Sequence, residues 1–556
     1  MSSIIKSTEE QQITKIEEEK QVETINRAKK LTIMSLMVAI MFLVSLDRTI
    51  IGVAIPTITD EFGSIPDIGW YGSAYMLANA SLQLLFGRIY KIAPMKITFV
   101  TSIVIFEIGS AVCGAAPTSA ALIIGRAIAG AGAAGIFSGA IQIMLEIIPL
   151  QDRPMWQALF AAVMGVSSAL GPLIGGSFTT KVSWRWCFYI NLPLGAVVIV
   201  VILYLLQINN KRSNTEVKTI RQIIVFLDPI GFVMLLSCIT CLLLALQYGG
   251  TKYLWSNGRM IALLVLFSIL LIAFIASQYI QQEKALLPPR VFLQRSVQGA
   301  FWYMFFFTGS MTIMIYYIPI WFQIVKGDTA LNSSYKTLAS ILPLVVSAMV
   351  SGGCAKKFGY YAPQMMIAPM LASIGVGLMT TWTVNTSKSK WTGYQVLYGL
   401  GLGFGIQGSS MSVQASLVKA DISIGMASVF FSQQMGGAIW ISVANNILVD
   451  TVIKSLSHIQ GINAKALANM GATQVRGAVD PNQLPLVLNA YNSGLRNVWI
   501  TALALICVTI IPFTLIEWRN IKKSQPGSEH EKKSIEQVEK KEARIEIEST
   551  DASSKA

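Results

Sequence analysis

Four ionisable residues stand inside otherwise apolar sequence: Asp47 and Arg48 in FLVSLDRTIIGVAIPTI, Glu107 in IFEIGSAVCG, and Arg126 in ALIIGRAIAGAGAAG. A charged side chain at the centre of a bilayer costs about 3 kcal/mol or more, so such groups face a partner or water. The chemistry on offer is proton uptake and release. Opposite charge lowers an acid's pKa and burial raises it, so an acid beside an arginine can load or unload its proton when its surroundings change. Asp47 has two candidate partners, its neighbour Arg48 and the distant Arg126. Counted along helices at about 1.5 Å per residue, Asp47 and Arg126 fall in the same half of the membrane, with Glu107 near its middle. The plainer alternative is that these charges only tie helices together.

The elements that would position these groups are transmembrane helices. The chain has 556 residues, 53% of them hydrophobic and 13% charged, against about 25% charged in soluble domains. Fourteen segments are apolar over the length a span needs: 33–56, 68–86, 97–116, 120–145, 156–178, 188–207, 228–247, 259–279, 299–322, 338–355, 361–381, 391–416, 423–448 and 496–516. The fold class expected is therefore an all-α polytopic membrane protein. An even count puts both tails on one side. A modest excess of Lys and Arg on the loops sharing that side assigns it to the cytosol. No secretory leader precedes the first span, and the first helix would serve as signal-anchor. Two sequons, Asn332-Ser333-Ser334 and Asn385-Thr386-Ser387, fall in loops expected outside, and Asn332 and Asn385 are candidate glycosylation sites.

Other chemistries find little support. The net charge of +14 is spread over short loops and tails without a basic stripe or stacking platform, so a nucleic-acid partner is not expected. Six cysteines and two histidines show no metal-site spacing, and Cys238 and Cys241 lie in an apolar run where a small hydrophobe is the simpler reading. No metal and no cofactor is expected. Without a nucleotide loop or serine elbow, neither is an enzyme. Glycines supply the other signal. The stretch GVSSALGPLIGG places Gly165, Gly171, Pro172, Gly175 and Gly176 on the fifth span, and Gly125, Gly130, Gly132 and Gly135 thin the fourth. Faces of small residues let helices approach closely and slide, and a buried backbone in lipid keeps a Gly-rich helix hydrogen-bonded.

The runs DIGWYGSAYMLANASLQLLFGRIYK, IFEIGSAVCGAAPTSAALIIGRAIAGAGAAGIFSG and WRWCFYINLPLG, with LDRTIIGVAIPTI and GVSSALGPLIGG, resemble the fourteen-span drug:proton antiporters of the major facilitator superfamily. The likeness is strongest to fungal toxin and multidrug efflux pumps and covers residues 31–518. It implies two six-helix bundles plus two additional central spans. The corresponding divisions are a cytosolic tail at 1–30, a first bundle at 31–207, and linker loops with two extra spans at 208–298. A second bundle at 299–518 includes an outer loop at 449–495, with a cytosolic tail at 519–556. The resemblance also implies proton coupling through Asp47, Arg126 and Glu107, with the fifth-span motif as the interface governing alternating access. Two positions depart from the pattern. Lys91, in GRIYKIAPMK, occupies the place of the acid of the loop motif, so a gating bridge from that acid is not expected, and Arg48 is an extra charge.

The function expected is proton-coupled export of small organic compounds, drugs or toxins, by a functional monomer in the plasma membrane. The partners are a small-molecule substrate, protons and the lipid bilayer. Met76, Gln83, Tyr316, Trp321 and Gln407 are the candidate cavity residues. The alternatives are an importer or vacuolar transporter of a defined solute, such as a basic amino acid or an iron–siderophore complex, and a receptor that transports nothing. Fold alone does not separate them.

Overall fold

In the computed structural model, the described residues are 27–62, 68–205, 222–223, 226–250, 253–419, 421–459, 463–464, 467, 475–477 and 479–522. Fourteen long helices occur among them. They are α1 (Arg27–Phe62), α2 (Ile68–Ile92), α3 (Met95–Gly114), α4 (Ser119–Ile147), α5 (Arg153–Lys181), α6 (Asn191–Leu205) and α7 (Pro229–Tyr248). Then follow α8 (Gly258–Gln281), α9 (Arg295–Ile324), α10 (Ala330–Phe358), α11 (Ala362–Met379), α12 (Lys388–Gly405), α13 (Ile422–Leu456) and α14 (Leu484–Val508). Each expected span coincides with one of these. Twelve are long and apolar enough to cross a membrane. The other two, α2 and α12, carry more polar residues and compensate by packing inside the bundle, α2 against α4 and α12 against α10 and α11.

Helix pairing repeats with an offset of eight. In the first half α3 packs on α4, α2 on α4 and α1 on α5; in the second, α11 packs on α12, α10 on α12 and α9 on α13. The halves meet through α5 with α10 and α2 with α13, again an equivalent pair of pairs. Glycines set the closeness of the repeats. A Cβ on Gly132 would come within 2.6 Å of Phe106 Cα, and one on Gly109 within 2.6 Å of Ala129 Cα. In the second half, one on Gly375 would come within 2.7 Å of Tyr398 Cα and one on Gly401 within 2.8 Å of Ala372 Cα. In hydrocarbon there is no hydrophobic drive between helices, so such approach, with its dispersion contacts, is what holds them.

The two extra helices pair with each other, and α7 leans on α2 and α13. Asp228 anchors them: its carboxylate caps α7 through Gly231 N–H (2.8 Å) and accepts from Gln278 (3.1 Å), Gln281 (2.8 Å) and Leu286 N–H (2.9 Å). Arg88 of α2, fully buried, donates to the carbonyls of Phe226 (2.7 Å), Glu283 (2.8 Å) and Ala285.

Three boundaries differ from the sequence expectation. The twelfth segment breaks at Ile406-Gln407 and resumes as a short helix, Gly408–Ser416. Helix α13 runs on to Leu456, stabilised by an i,i+4 pair of Asp450 and Lys454 at 2.7 Å, and α14 begins at Leu484 with proline in its first turn. Helix thus claims both ends of the stretch expected to be an outer loop. Much of that loop between 460 and 478, and most of both tails, lie outside the described residues.

Candidate functional site

The first-half charges are gathered by packing. Gly130 of α4 lies against the backbone of Tyr75, and Gly125 against Cys113, so α2 and α3 both press on the α4 turn that carries Arg126. That side chain is 1% exposed and pairs with Asp47 of α1, Nη1 to Oδ2, at 2.6 Å. Its Nε donates to the Tyr71 carbonyl at 2.9 Å, and its guanidinium lies 4.4 Å from the centre of the Tyr75 ring. The second Asp47 oxygen accepts from Asn191 Nδ2 at 3.2 Å, and the same amide donates to Ser110 Oγ at 3.1 Å. Helices α4 and α6 therefore meet the α1 carboxylate directly, and α3 joins through the Asn191 amide. Arg126, not Arg48, is its partner.

Glu107 is buried on α3, and neither carboxyl oxygen has a hydrogen-bond partner. Its oxygens sit against Gly195 of α6, where any side chain would overlap them. A buried acid without a partner is costly when charged. Glu107 is thus held between α3 and α6 with no group among the described residues to offset its charge.

Arg48 turns the other way, into a cavity between the halves. Its Nη1 donates to Gln434 Oε1 at 3.4 Å, and Gln434 in turn donates to Asn79 Oδ1 at 2.9 Å. The walls come from α1, α2, α4 and α5 on one side and α9, α13 and the break after α12 on the other. Gln83 and Gln407 are on this wall; Met76, Tyr316 and Trp321 are not. Trp321 is fully buried in an aromatic cluster, 4.5 Å from Trp382 between ring centres, and donates to Asn492 at 2.9 Å, while Tyr316 is 42% exposed.

The glycines of α5 divide between two neighbours. Gly171 lies against Thr49 and Gly175 against the Ile50 backbone, both on α1, and Thr49 donates to the Ser167 carbonyl at 3.2 Å. Gly165 faces the other half, where a Cβ would come within 3.3 Å of Val345 on α10. Pro172 sits inside the helix between these contacts, and Gly176 is half-buried beside them. Of the sequons, Asn332 lies in the first turn of α10 and Asn385 in the exposed loop before α12.

At one end of the bundle the halves are bridged by charge. Lys91 at the end of α2 meets Asp421, just before α13, at 3.2 Å, and Arg290 meets the other Asp421 oxygen at 2.9 Å and Glu283 at 2.6 Å. Lys91 thus makes a bridge between the halves with the sign of the expected motif reversed. Burial would push the Asp421 carboxyl up, but Arg290 and Lys91 together hold it below the usual carboxylate range. Asn191, Gly195, Gln157 and Gln434 were not singled out in the sequence. The usable signal was their polarity or small size within apolar runs.

Two like bundles around a shared cavity, with a paired acid in the membrane, define a polytopic membrane transport protein. Comparison with known proteins narrows the class. The sequence profile of the Major Facilitator Superfamily matches residues 37–441, and the chain belongs to that family. It is 45% identical to the efflux pump aflT of Aspergillus parasiticus, over 89% of this chain and 96% of the pump. It is 46% identical to the MFS-type transporter phomT of Diaporthe leptostromiformis, over 89% and 84%. Identity to the rubrofusarin-specific efflux pump aurT of Gibberella zeae is 42%, over 88% and 89%. Among solved structures, the human organic anion transporter MFSD10 (TETRAN) superposes with a TM-score of 0.53 at 13% identity, covering 86% of this chain and 99% of that one. At that identity the likeness concerns the fold alone.

Proposed function

We propose that this chain is a proton-coupled antiporter that exports small organic molecules through its central cavity by alternating access. The observation that carries the reading is the buried Asp47–Arg126 pair, tied through Asn191 to α3 and α6 and one residue from a cavity-lining arginine. Protonation of Asp47 cancels half of the pair, frees Arg126 and weakens the junction of four helices. The change in charge becomes a change in packing. Proton flow inward through Asp47, assisted by Glu107, drives the substrate outward. Efflux is the activity named for several relatives with more than 40% identity, and that supports export over import.

In this reading the bundles at 31–207 and 299–518 are the moving halves, hinged where Gly165 of α5 meets α10. The tails lie in the cytosol, the membrane is the plasma membrane, the working unit is one chain, and Asn332 and Asn385 face outward as glycan acceptors. The test is accumulation of a fluorescent dye in inside-out vesicles with an imposed pH gradient and no nucleotide. Accumulation that collapses with the gradient supports the reading. Full accumulation after gradient and membrane potential are both removed would refute it. Fluorescence localisation of the tagged chain decides between plasma and vacuolar membranes.

A further inference from the structure

We infer that the central cavity selects organic anions: largely apolar molecules that carry one carboxylate or acidic phenol, bound through Arg48. The inference rests on the reading of this cavity as the substrate site. Among the described residues Arg48 is the cavity's only charged lining residue, no Asp or Glu lines it, and no carboxylate lies within 4 Å of the guanidinium. Among the same residues its one hydrogen bond, to Gln434, is long at 3.4 Å. A guanidinium has five donors, so most of its capacity is unspent. Arg48 is half-buried at the cavity, and a bound anion would give its unspent donors a charge-assisted partner.

The neutral polar groups around it are also poised for a ligand. Asn79, Gln157 and Gln407 are 0%, 5% and 6% exposed, and each is on the cavity wall. Asn79 Nδ2, both amide atoms of Gln157, and Gln407 Oε1 have no hydrogen-bond partner. Buried amides are nearly always satisfied, and these four unpartnered atoms, covered in this state within wall residues of the cavity, are the groups a ligand would engage once the wall opens. Two of these atoms are donors, suited to the remaining oxygens of an acid or an aromatic carbonyl. Phe137, Ile141, Phe160, Met164, Met304 and Phe430 complete the wall with apolar and thioether surface. That surface suits an apolar body and adapts to its shape. Asp47 does not neutralise Arg48, because its charge is already committed to Arg126.

The experiment is calorimetric binding to the full chain in neutral-lipid nanodiscs, using three probes of one shape: 2-naphthoate, 2-naphthamide and 2-naphthylmethylammonium. A charge-assisted bond to Arg48 predicts naphthoate binding about tenfold tighter than the amide, with the cation weakest. Arg48→Gln should bring naphthoate and naphthamide to the same affinity, whereas Arg48→Lys should keep a reduced preference for the acid. Retention of the wild-type preference in Arg48→Gln, or no preference in the wild type, would overturn the inference. Proton-driven dye accumulation by the wild type is measured alongside. Its absence with charge-selective binding intact defeats the antiport reading only, and its presence without charge selectivity defeats this one only.

Discussion

Asp47 and Arg48 are adjacent, yet on α1 they point about 100° apart, and that rotation separates two jobs. Asp47 faces α4 and pairs with Arg126; Arg48 faces the cavity. The pair predicts unequal outcomes for its members. Arg126→Ala strands a buried acid, which costs about 3–5 kcal/mol; thermal unfolding of the purified variant should show a clear loss of stability, and transport should fall with it. Arg126→Lys keeps the charge without the rigid fork that reaches both Asp47 and the Tyr71 carbonyl, so it should fold and couple poorly. Arg48→Ala should leave thermal stability within about 0.5 kcal/mol of wild type, as expected of a residue outside a buried network. A loss on Arg48→Ala equal to that of Arg126→Ala would assign Asp47 to the wrong arginine. The pairing was partly legible in the sequence because intramembrane charges must find partners. The choice between two arginines depended on helix rotation, which composition does not record. The same limit explains why Gln83 and Gln407 line the cavity while Met76, Tyr316 and Trp321 stand elsewhere.

Between helices, the sites of adjustment are the α5 contacts and the charged bridge at the Lys91 end. Gly171→Leu or Gly175→Leu forces volume into the α1–α5 contact, and overpacking of this kind costs about 1–3 kcal/mol. That is enough to bias a two-state equilibrium. Cysteine accessibility from the two membrane faces should shift in both variants while the protein remains in the membrane; unchanged accessibility and transport would mean these glycines are not at a moving contact. The bridge predicts a second shift. Asp421→Asn removes the partner of both Lys91 and Arg290, so labelling of cysteines placed at the facing ends of α2 and α13 should rise, more than in Lys91→Ala. Because the folded Asp421 carboxyl lies below its ordinary value, the bridge holds fully above the usual carboxylate range and is lost as pH falls through that lowered value. Labelling in wild type should therefore increase only on strong acidification. An increase near neutrality would point to a different group. The expected spans coincide with the fourteen long helices, and for twelve of them the reason is that lipid imposes the length and apolarity of a span. Hydropathy did not place the ends of α13 and α14, which are set outside the hydrocarbon by an ion pair and a proline.

At the scale of the molecule, the repeat of packing between α1–α6 and α9–α14 gives two like bodies with a cavity between them. Alternating access needs such a frame: two rigid halves and interfaces that can exchange partners. The asymmetry is equally informative. The buried acid–arginine pair lies in the first half, so in the proposed mechanism proton binding acts on one body and the substrate is held between both. That mechanism makes coupling and substrate exchange separable by mutation. The most direct measurement uses proteoliposomes containing wild type or Asp47→Asn and reads two fluxes of the same dye. One is accumulation driven by a pH gradient; the other is counterflow exchange with no gradient. An amide keeps the shape of the acid and can accept one of its two hydrogen bonds, from Arg126 or from Asn191, but cannot release a proton. Asp47→Asn should retain dye exchange and lose gradient-driven accumulation. Accumulation at the wild-type level in Asp47→Asn would contradict the account.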